Sequence, residues 1–235
     1  MKIIAHRGAS GLALENTIES IQAALELNVD AIECDIRRTK DNKLIILHDP
    51  TTSRVSDSKL NVKDHTLAEL QKIKLHNGHH IPSLDQVLKL VDNRVPLVLD
   101  IKEGNLHHEL LHLLEKYPHT EISLTGLQYE EMHVIFLKRP DISFFVQSHF
   151  SPIEIIQTAK KLQAAGISLN MWLINPLTYL LARRNKLHIR VYTVNHPFMI
   201  RFLKVLYPGI EVFTNNPHRY VRRHRSKHKR RVNTL

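Results

Sequence analysis

Nine short apolar runs, at 2–6, 30–36, 44–48, 96–102, 121–124, 142–146, 167–170, 189–194 and 210–213, alternate with helix-like stretches along almost the whole chain. Short loops join them, and repeated βα units of this kind build a parallel sheet. One pair breaks the rule. Between 30–36 and 44–48 there is no room for a crossover helix, which needs a dozen residues or more. Setting the run at 44–48 aside leaves eight strands, and 235 residues is close to the length a closed eight-stranded barrel uses. The fold class predicted is α/β, a (β/α)8 TIM barrel with a short inserted hairpin and a small insertion segment. An open doubly wound sheet is the runner-up.

The first run ends in His6-Arg7-Gly8, and Glu15-Asn16-Thr17 follows in its loop. The second contains Glu33 and Asp35, two apart on a strand and therefore on one face. Asp41-Asn42 reads as a two-residue turn, and a hairpin centred there sets His48 opposite Asp35. The segment between His48 and Pro82 ends in His76-Asn77-Gly78-His79-His80. Capping boxes are expected at Thr66/Glu69, Ser83/Gln86 and Ser151/Glu154, the last with Pro152 in the first helical position. Asn175-Pro176 opens a further helix, and Gly166 is placed to close a helix over 152–165. Neither an internal repeat nor an interdomain linker is visible, so residues 1–221 form one domain.

Residues 222–235, RRHRSKHKRRVNTL, hold seven Lys or Arg and no acid. Without them the net charge of +10 falls to +3, from 26 basic and 23 acidic residues. The tail lacks apolar periodicity and is expected to be disordered, serving solubility or attachment to anionic lipid or nucleic acid. A body near neutrality argues against specific nucleic-acid binding. No apolar stretch has membrane-spanning length, and the N-terminal residues lack the pattern of a secretory signal. A single cysteine, Cys34, excludes an intrachain disulfide and reads as a buried strand thiol in a reducing compartment. The expected location is the cytoplasm.

Polar groups collect at strand ends, where α/β proteins place their chemistry. His6 and Arg7 end the first strand, Glu33 and Asp35 lie on the second, and His48-Asp49 ends the hairpin. Asp100 and Lys102, again two apart, end the run at 96–102. Three carboxylates suit a hard cation, an arginine and a lysine suit phosphate oxygens, and two imidazoles suit proton transfer.

The sequence resembles the glycerophosphodiester phosphodiesterase family. The matching stretches, in the family's order, are His6-Arg7-Gly8, Glu15-Asn16-Thr17, Glu33-x-Asp35, His48-Asp49-Pro50-Thr51, Ile81-Pro82-Ser83-Leu84, Asp100-Ile101-Lys102 and Val191-Tyr192-Thr193-Val194-Asn195. Phe213-Thr214-Asn215-Asn216-Pro217 extends them. The resemblance implies the barrel and an activity, hydrolysis of glycerophosphodiesters to glycerol 3-phosphate and an alcohol. It implies His6 and His48 as the general acid–base pair, and a divalent cation, Mg2+ or Ca2+, at Glu33, Asp35 and Asp100. Arg7, Asn16, Lys102 and Tyr192 are the implied substrate-binding residues.

Three positions depart from the family pattern. Asp100 stands where the family usually has Glu, one methylene shorter, or about 1.5 Å of bond. Tyr192 replaces a Trp, and Asn215 replaces an Asp. Two other readings follow: a lysophospholipase D acting on lipid that keeps an acyl chain, and a catalytically weak barrel that binds phosphoryl ligands. Among the remaining histidines, His107, His108 and His112 belong on a surface helix, and His79 and His80 flank a turn. His149 and His196 follow strands and are candidates to line the mouth, with Trp172 at its rim.

Overall fold

The structure, a computed structural model, describes residues 1–148 and 151–221. The elements run β1 (Lys2–Ala5), α1 (Ile18–Glu26), β2 (Ala31–Arg38), β3 (Leu44–Ile46), α2 (Leu67–Leu70), α3 (Leu84–Val91), β4 (Leu97–Ile101), α4 (His107–Leu114) and β5 (Ile122–Gly126). They continue with α5 (Tyr129–Lys138), β6 (Ser143–Ser148), α6 (Pro152–Lys161), β7 (Gly166–Asn170), α7 (Pro176–Arg184), β8 (His188–Tyr192), α8 (Pro197–Leu206) and β9 (Glu211–Thr214). Eight strands pair in parallel in the order β1-β9-β8-β7-β6-β5-β4-β2, and pairing of β2 with β1 closes the barrel. β3 is the extra strand. It lies antiparallel to the end of β2 and takes the edge that β1, which stops opposite Ile32, leaves open.

Strand alternation sorts the side chains. Ile32, Cys34 and Ile36 of β2 and Leu97, Leu99 and Ile101 of β4 join the large apolar cluster beneath the helices. Each fully buried aliphatic side chain contributes about 1.5–3 kcal/mol. Burial also pushes the Cys34 thiol well above its ordinary pKa, so it is an inert packing residue. Glu33, Asp35 and Asp100 occupy the intervening positions, and a separate small cluster of Ile4, Ala31, Val98 and Phe213 packs beneath them. The insertion after β3 has its own apolar core, in which Ile45 and Leu47 meet Val55, Leu70 and Ile81.

The expected capping boxes form at Thr66 and Ser83, and a third forms at Thr17, where Ser20 returns the bond. Ser151 caps α6 in one direction only, accepting from the Glu154 amide. Gly166 does not close that helix. α6 ends at Lys161, Gln163 takes the left-handed turn, and Gly166 begins β7. Its role is close approach: a Cβ there would stand 2.3 Å from the His188 carbonyl oxygen and 2.7 Å from the Phe145 ring.

The hairpin is displaced by one residue from the expected register. Its loop has five residues, with the Thr39 amide donating to the Lys43 carbonyl at 2.9 Å and the Thr39 hydroxyl bonding Asp41. The centre is therefore Asp41, and Asp35 faces Leu47, whose amide donates to the Asp35 carbonyl at 3.0 Å. His48 is the next residue, and the Arg37 guanidinium holds its carbonyl with two bonds of 2.8 and 2.9 Å.

Replacing Gly166 with alanine is expected to cost about 2–3 kcal/mol, whereas Gly104→Ala, whose new methyl would meet only the Gln128 Oε1 at an ordinary contact distance of 3.6 Å, costs under about 1 kcal/mol. Urea unfolding of the two variants checks this; equal midpoints would refute the close approach of β7 and β8.

Candidate active site

The loop after β1 makes the first half of the site. Arg7 and Gly8 both take positive φ, +56° and +76°, and the chain reverses there. No side chain fits at Gly8, because a Cβ would stand 2.4 Å from the Ser20 hydroxyl and 2.6 Å from its backbone. The reversal brings the Arg7 amide onto Glu33 Oε2 at 2.7 Å and the Arg7 guanidinium to 3.2 Å from Asp35 Oδ2. Asn16 is also left-handed and is buried; its amide donates to Asp35 Oδ2 at 2.7 Å and accepts from the Asp35 backbone at 3.3 Å. Asn16, expected at the substrate, thus sits behind the carboxylate and orients it.

Glu33, Asp35 and Asp100 come together although Asp100 has the shorter side chain. All three are buried, and one oxygen from each lies within 4.8 Å of the others. Pairing of β2 with β4 sets Asp35 beside Asp100 in register. Gly126, at the end of β5, makes room; a Cβ there would meet Asp100 Oδ1 at 2.8 Å. Lys102 lies against the cluster, with its ammonium 2.8 Å from Asp35 Oδ1 and 2.6 Å from Asp100 Oδ2.

The three carboxylates respond differently. Burial, then Asp35 and Asp100, push Glu33 well above the ordinary carboxylate range. Asp35 is equally buried, but Lys102, Arg7 and His48 outweigh that and hold it down at about 2. Asp100 is raised by burial, only partly offset by Lys102. Burial alone would lower Lys102, yet Asp35 and Asp100 raise it above the usual ammonium range. An oxygen-only donor set in which one carboxylate is hard to ionise fits a hard divalent cation, whose charge would let Glu33 ionise.

Each histidine is held by Nδ1. His6 Nδ1 is 2.7 Å from Asn215 Oδ1, and His6 Nε2 is 3.9 Å from Glu33 Oε2. Burial and Arg7 lower the His6 pKa to about 4. His48 Nδ1 is 2.7 Å from Asp49 Oδ1, and its ring is about one-third exposed. Sequence reasoning missed Arg54. Its guanidinium joins Asp49 to Glu15 (2.7 Å), and Glu15 also receives Arg7 at 2.8 Å, so one chain of ion pairs links both histidine loops. A lone arginine in an aperiodic loop carries no pattern that would single it out. Asn195 was also given no role; it accepts from the Asn215 amide at 2.8 Å and orients the His6 partner.

Both histidines, with Arg7, Glu33, Asp100 and Lys102, line a cavity of about 380 Å³ at the carboxyl ends of the strands. One wall is charged: His6, Arg7, Glu33, His48, Asp100 and Lys102. The other is neutral, made by Thr125, Leu127, Gln128, Gln147, Tyr192 and Phe213. Tyr192 stands edge-on to Phe213, and burial raises its hydroxyl to about 12. Trp172 is on the rim, 79% exposed. His196 caps α8 and does not line the mouth. His107 is only half-buried surface; with the Leu106 and His107 amides it bonds the buried Glu131 carboxylate, which closes the start of α4. His79 pairs with Glu19, and His80 bonds the Ile73 carbonyl. His149 and the tail 222–235 lie outside the described residues.

Residues 6–219 match the model of the glycerophosphoryl diester phosphodiesterase family. A glycerophosphodiester phosphodiesterase of Caldanaerobacter subterraneus subsp. tengcongensis is 31% identical over 215 residues, which cover 88% of this chain and 79% of that protein. YhdW of Bacillus subtilis is 41% identical over 109 residues, 43% of this chain and 45% of its own length, so the match spans less than half of that relative. The solved structure of an Oleispira antarctica phosphodiesterase in complex with the product sn-glycerol-3-phosphate superposes with a TM-score of 0.86, at 20% identity, over 93% of this chain and 94% of that one. At that identity the superposition establishes the barrel. The family match spans both histidine loops, the carboxylate cluster and the last strand, and the chain belongs to the glycerophosphoryl diester phosphodiesterase family.

Proposed function

We propose that the protein is a metal-dependent phosphodiesterase that hydrolyses glycerophosphodiesters to glycerol 3-phosphate and an alcohol. The observation that carries this reading is the convergence of two Nδ1-anchored imidazoles, three buried carboxylates and two cations on one cavity. Glu33, Asp35 and Asp100 would hold a divalent cation, Mg2+ or Ca2+, which when bound supplies charge to offset the phosphodiester and to acidify a hydroxyl. Arg7 and Lys102 hold the phosphate oxygens, and Tyr192 forms an aromatic wall for the substrate.

The two imidazoles differ in partner, and that divides their roles. His6 rests on a neutral amide beside Arg7 and stays uncharged at neutral pH, so its Nε2 accepts the proton of the attacking hydroxyl. His48 rests by Nδ1 on the Asp49 carboxylate, which fixes the ring and leaves Nε2 for the substrate, so His48 is the group that protonates the departing alkoxide. The attacking hydroxyl is water or the glycerol moiety's own. Lys102 and Arg7 keep the phosphate in line while the proton moves. Among the described residues no helix is long and apolar enough to cross a membrane. With Cys34 reduced, we assign the enzyme to the cytoplasm, where its product enters glycerol and lipid metabolism.

One feature favours the acylated alternative. Leu127, at the cavity mouth, is half exposed and offers an apolar exit for an acyl chain. Turnover of glycerophosphocholine above that of lysophosphatidylcholine is expected; the reverse order would establish a lysophospholipase D.

His6→Ala and His48→Ala are each expected to lower kcat about 10³-fold with the thermal midpoint little changed, since one general acid or base is worth about 10²–10⁴. Wild-type turnover in either variant would refute the assignment. Chelation should abolish release of glycerol 3-phosphate, and Mg2+ or Ca2+ should restore it; turnover that persists in chelator would remove the cation from the mechanism. Asp49→Asn should lower kcat by roughly 10–100-fold and leave KM nearly unchanged, because it acts through the orientation of His48.

A further inference from the structure

Outside the cavity, charge and apolar exposure gather on one flank of the barrel. Residues 1–154 hold 17 Lys or Arg against 22 Asp or Glu. Residues 155–221 hold nine against one. The single acid, Glu211, is engaged by Arg190 and Lys2. From residue 155 to residue 210 there is none at all. That stretch builds α7, α8 and all of α6 beyond its first turn, where Glu154 is exposed, around β7 and β8, which are neighbours in the barrel, so the imbalance is spatial.

The same flank is apolar toward solvent. α8 buries Ile200 and Leu203, as a barrel helix should, but its opposite face carries Phe198, Phe202 and Val205 at spacings of four and three, 65%, 45% and 79% exposed. The two phenylalanine rings stack with centroids 6.3 Å apart. α7 buries Thr178 and Ala182 and exposes Leu177 and Leu180. Arg184 shares that outer face of α7, and Arg201 flanks the stripe on α8. A solvent-facing helix ordinarily turns polar side chains outward, and contiguous apolar exposure marks a docking surface.

We infer that the outer face of α7 and α8 docks on an anionic lipid bilayer. Phenylalanine and leucine flanked by arginine, with no acid to repel phosphate, is the pattern that seats a helix in the headgroup layer. A protein partner complementary to this face would be both acidic and apolar; a bilayer supplies both properties continuously. The two helices start at the strand ends that carry the cavity, so Trp172 and Phe198 stand on the same rim as Thr193 and Tyr192. Docking therefore brings the cavity mouth to the bilayer surface. This surface is distinct from residues 222–235, whose basic composition adds attraction but no apolar anchor of aromatic residues.

The test is co-sedimentation of the full-length protein with vesicles of phosphatidylcholine and phosphatidylglycerol in equal parts, with pure phosphatidylcholine vesicles as the second arm. Binding to the mixed vesicles and weaker binding to the neutral ones are expected, with the difference reduced by added salt. The F198S/F202S/V205S variant should lose about tenfold or more in vesicle affinity, and the charge-reversed R184E/R201E variant should lose a similar factor. Both should keep the wild-type thermal midpoint and turnover of soluble glycerophosphodiester. Vesicle binding is read without reference to hydrolysis, so failure of the hydrolase assignment leaves this result standing. No binding to mixed vesicles would overturn the inference. So would unchanged binding by both variants, which would assign attachment to residues 222–235. Self-association of the wild type that the variants abolish, without vesicle binding, would make the face a contact between copies of the chain.

Discussion

Burying three carboxylates at one end of a barrel is the constraint on which the rest of the site depends. Glu33, Asp35 and Asp100 lie within a few ångströms of one another with almost no solvent. Like charges at that distance in a poor dielectric cannot all ionise without compensating positive charge. Each neighbouring feature answers that requirement. Arg7 turns through a left-handed backbone to reach Asp35, Lys102 spans Asp35 and Asp100, and the Arg7 amide and Asn16 fix the carboxylate rotamers. A divalent cation would complete the balance at Glu33, which among the described residues has no ammonium or guanidinium of its own within 4.0 Å.

The constraint explains why the histidine loops are built as they are. His6 lies next to Arg7 and is buried, so it is kept neutral; His48 is more exposed and leans on a carboxylate. The Arg7–Glu15–Arg54–Asp49 chain joins the loops without adding net charge. The neutral wall on the far side leaves an approach for substrate that the acidic cluster does not repel.

Much of this was legible in the sequence because the informative patterns are local. The missing crossover between 36 and 44 identified the hairpin, the two-residue spacings put Glu33 with Asp35 and Asp100 with Lys102 on common faces, and the ordered motifs identified the family. The errors arose where the outcome depends on contacts far apart in the chain. A symmetric turn count gave His48 opposite Asp35, but the Thr39 side chain closes a five-residue loop and moves the register by one. Gly166 has the look of a helix stop, yet its glycine is demanded by His188 on the next strand. The bonds from both ends of the Asn16 amide to Asp35, nineteen residues away, likewise carry no sign in the motif that contains Asn16. Arg54 and Gly126 have no sequence pattern; their roles exist only once β3 and β5 have been placed beside the site.

At Asp100 a cation and an ammonium compete for one short carboxylate, since Lys102 already stands 2.6 Å from it. A crystal structure of the protein soaked with Ca2+ tests it most directly. One ion bound by oxygens of Glu33, Asp35 and Asp100 is expected, with Lys102 turned away from Asp100 toward the phosphate side of the cavity. An ion bound elsewhere, with Lys102 still bridging Asp35 and Asp100, would contradict it.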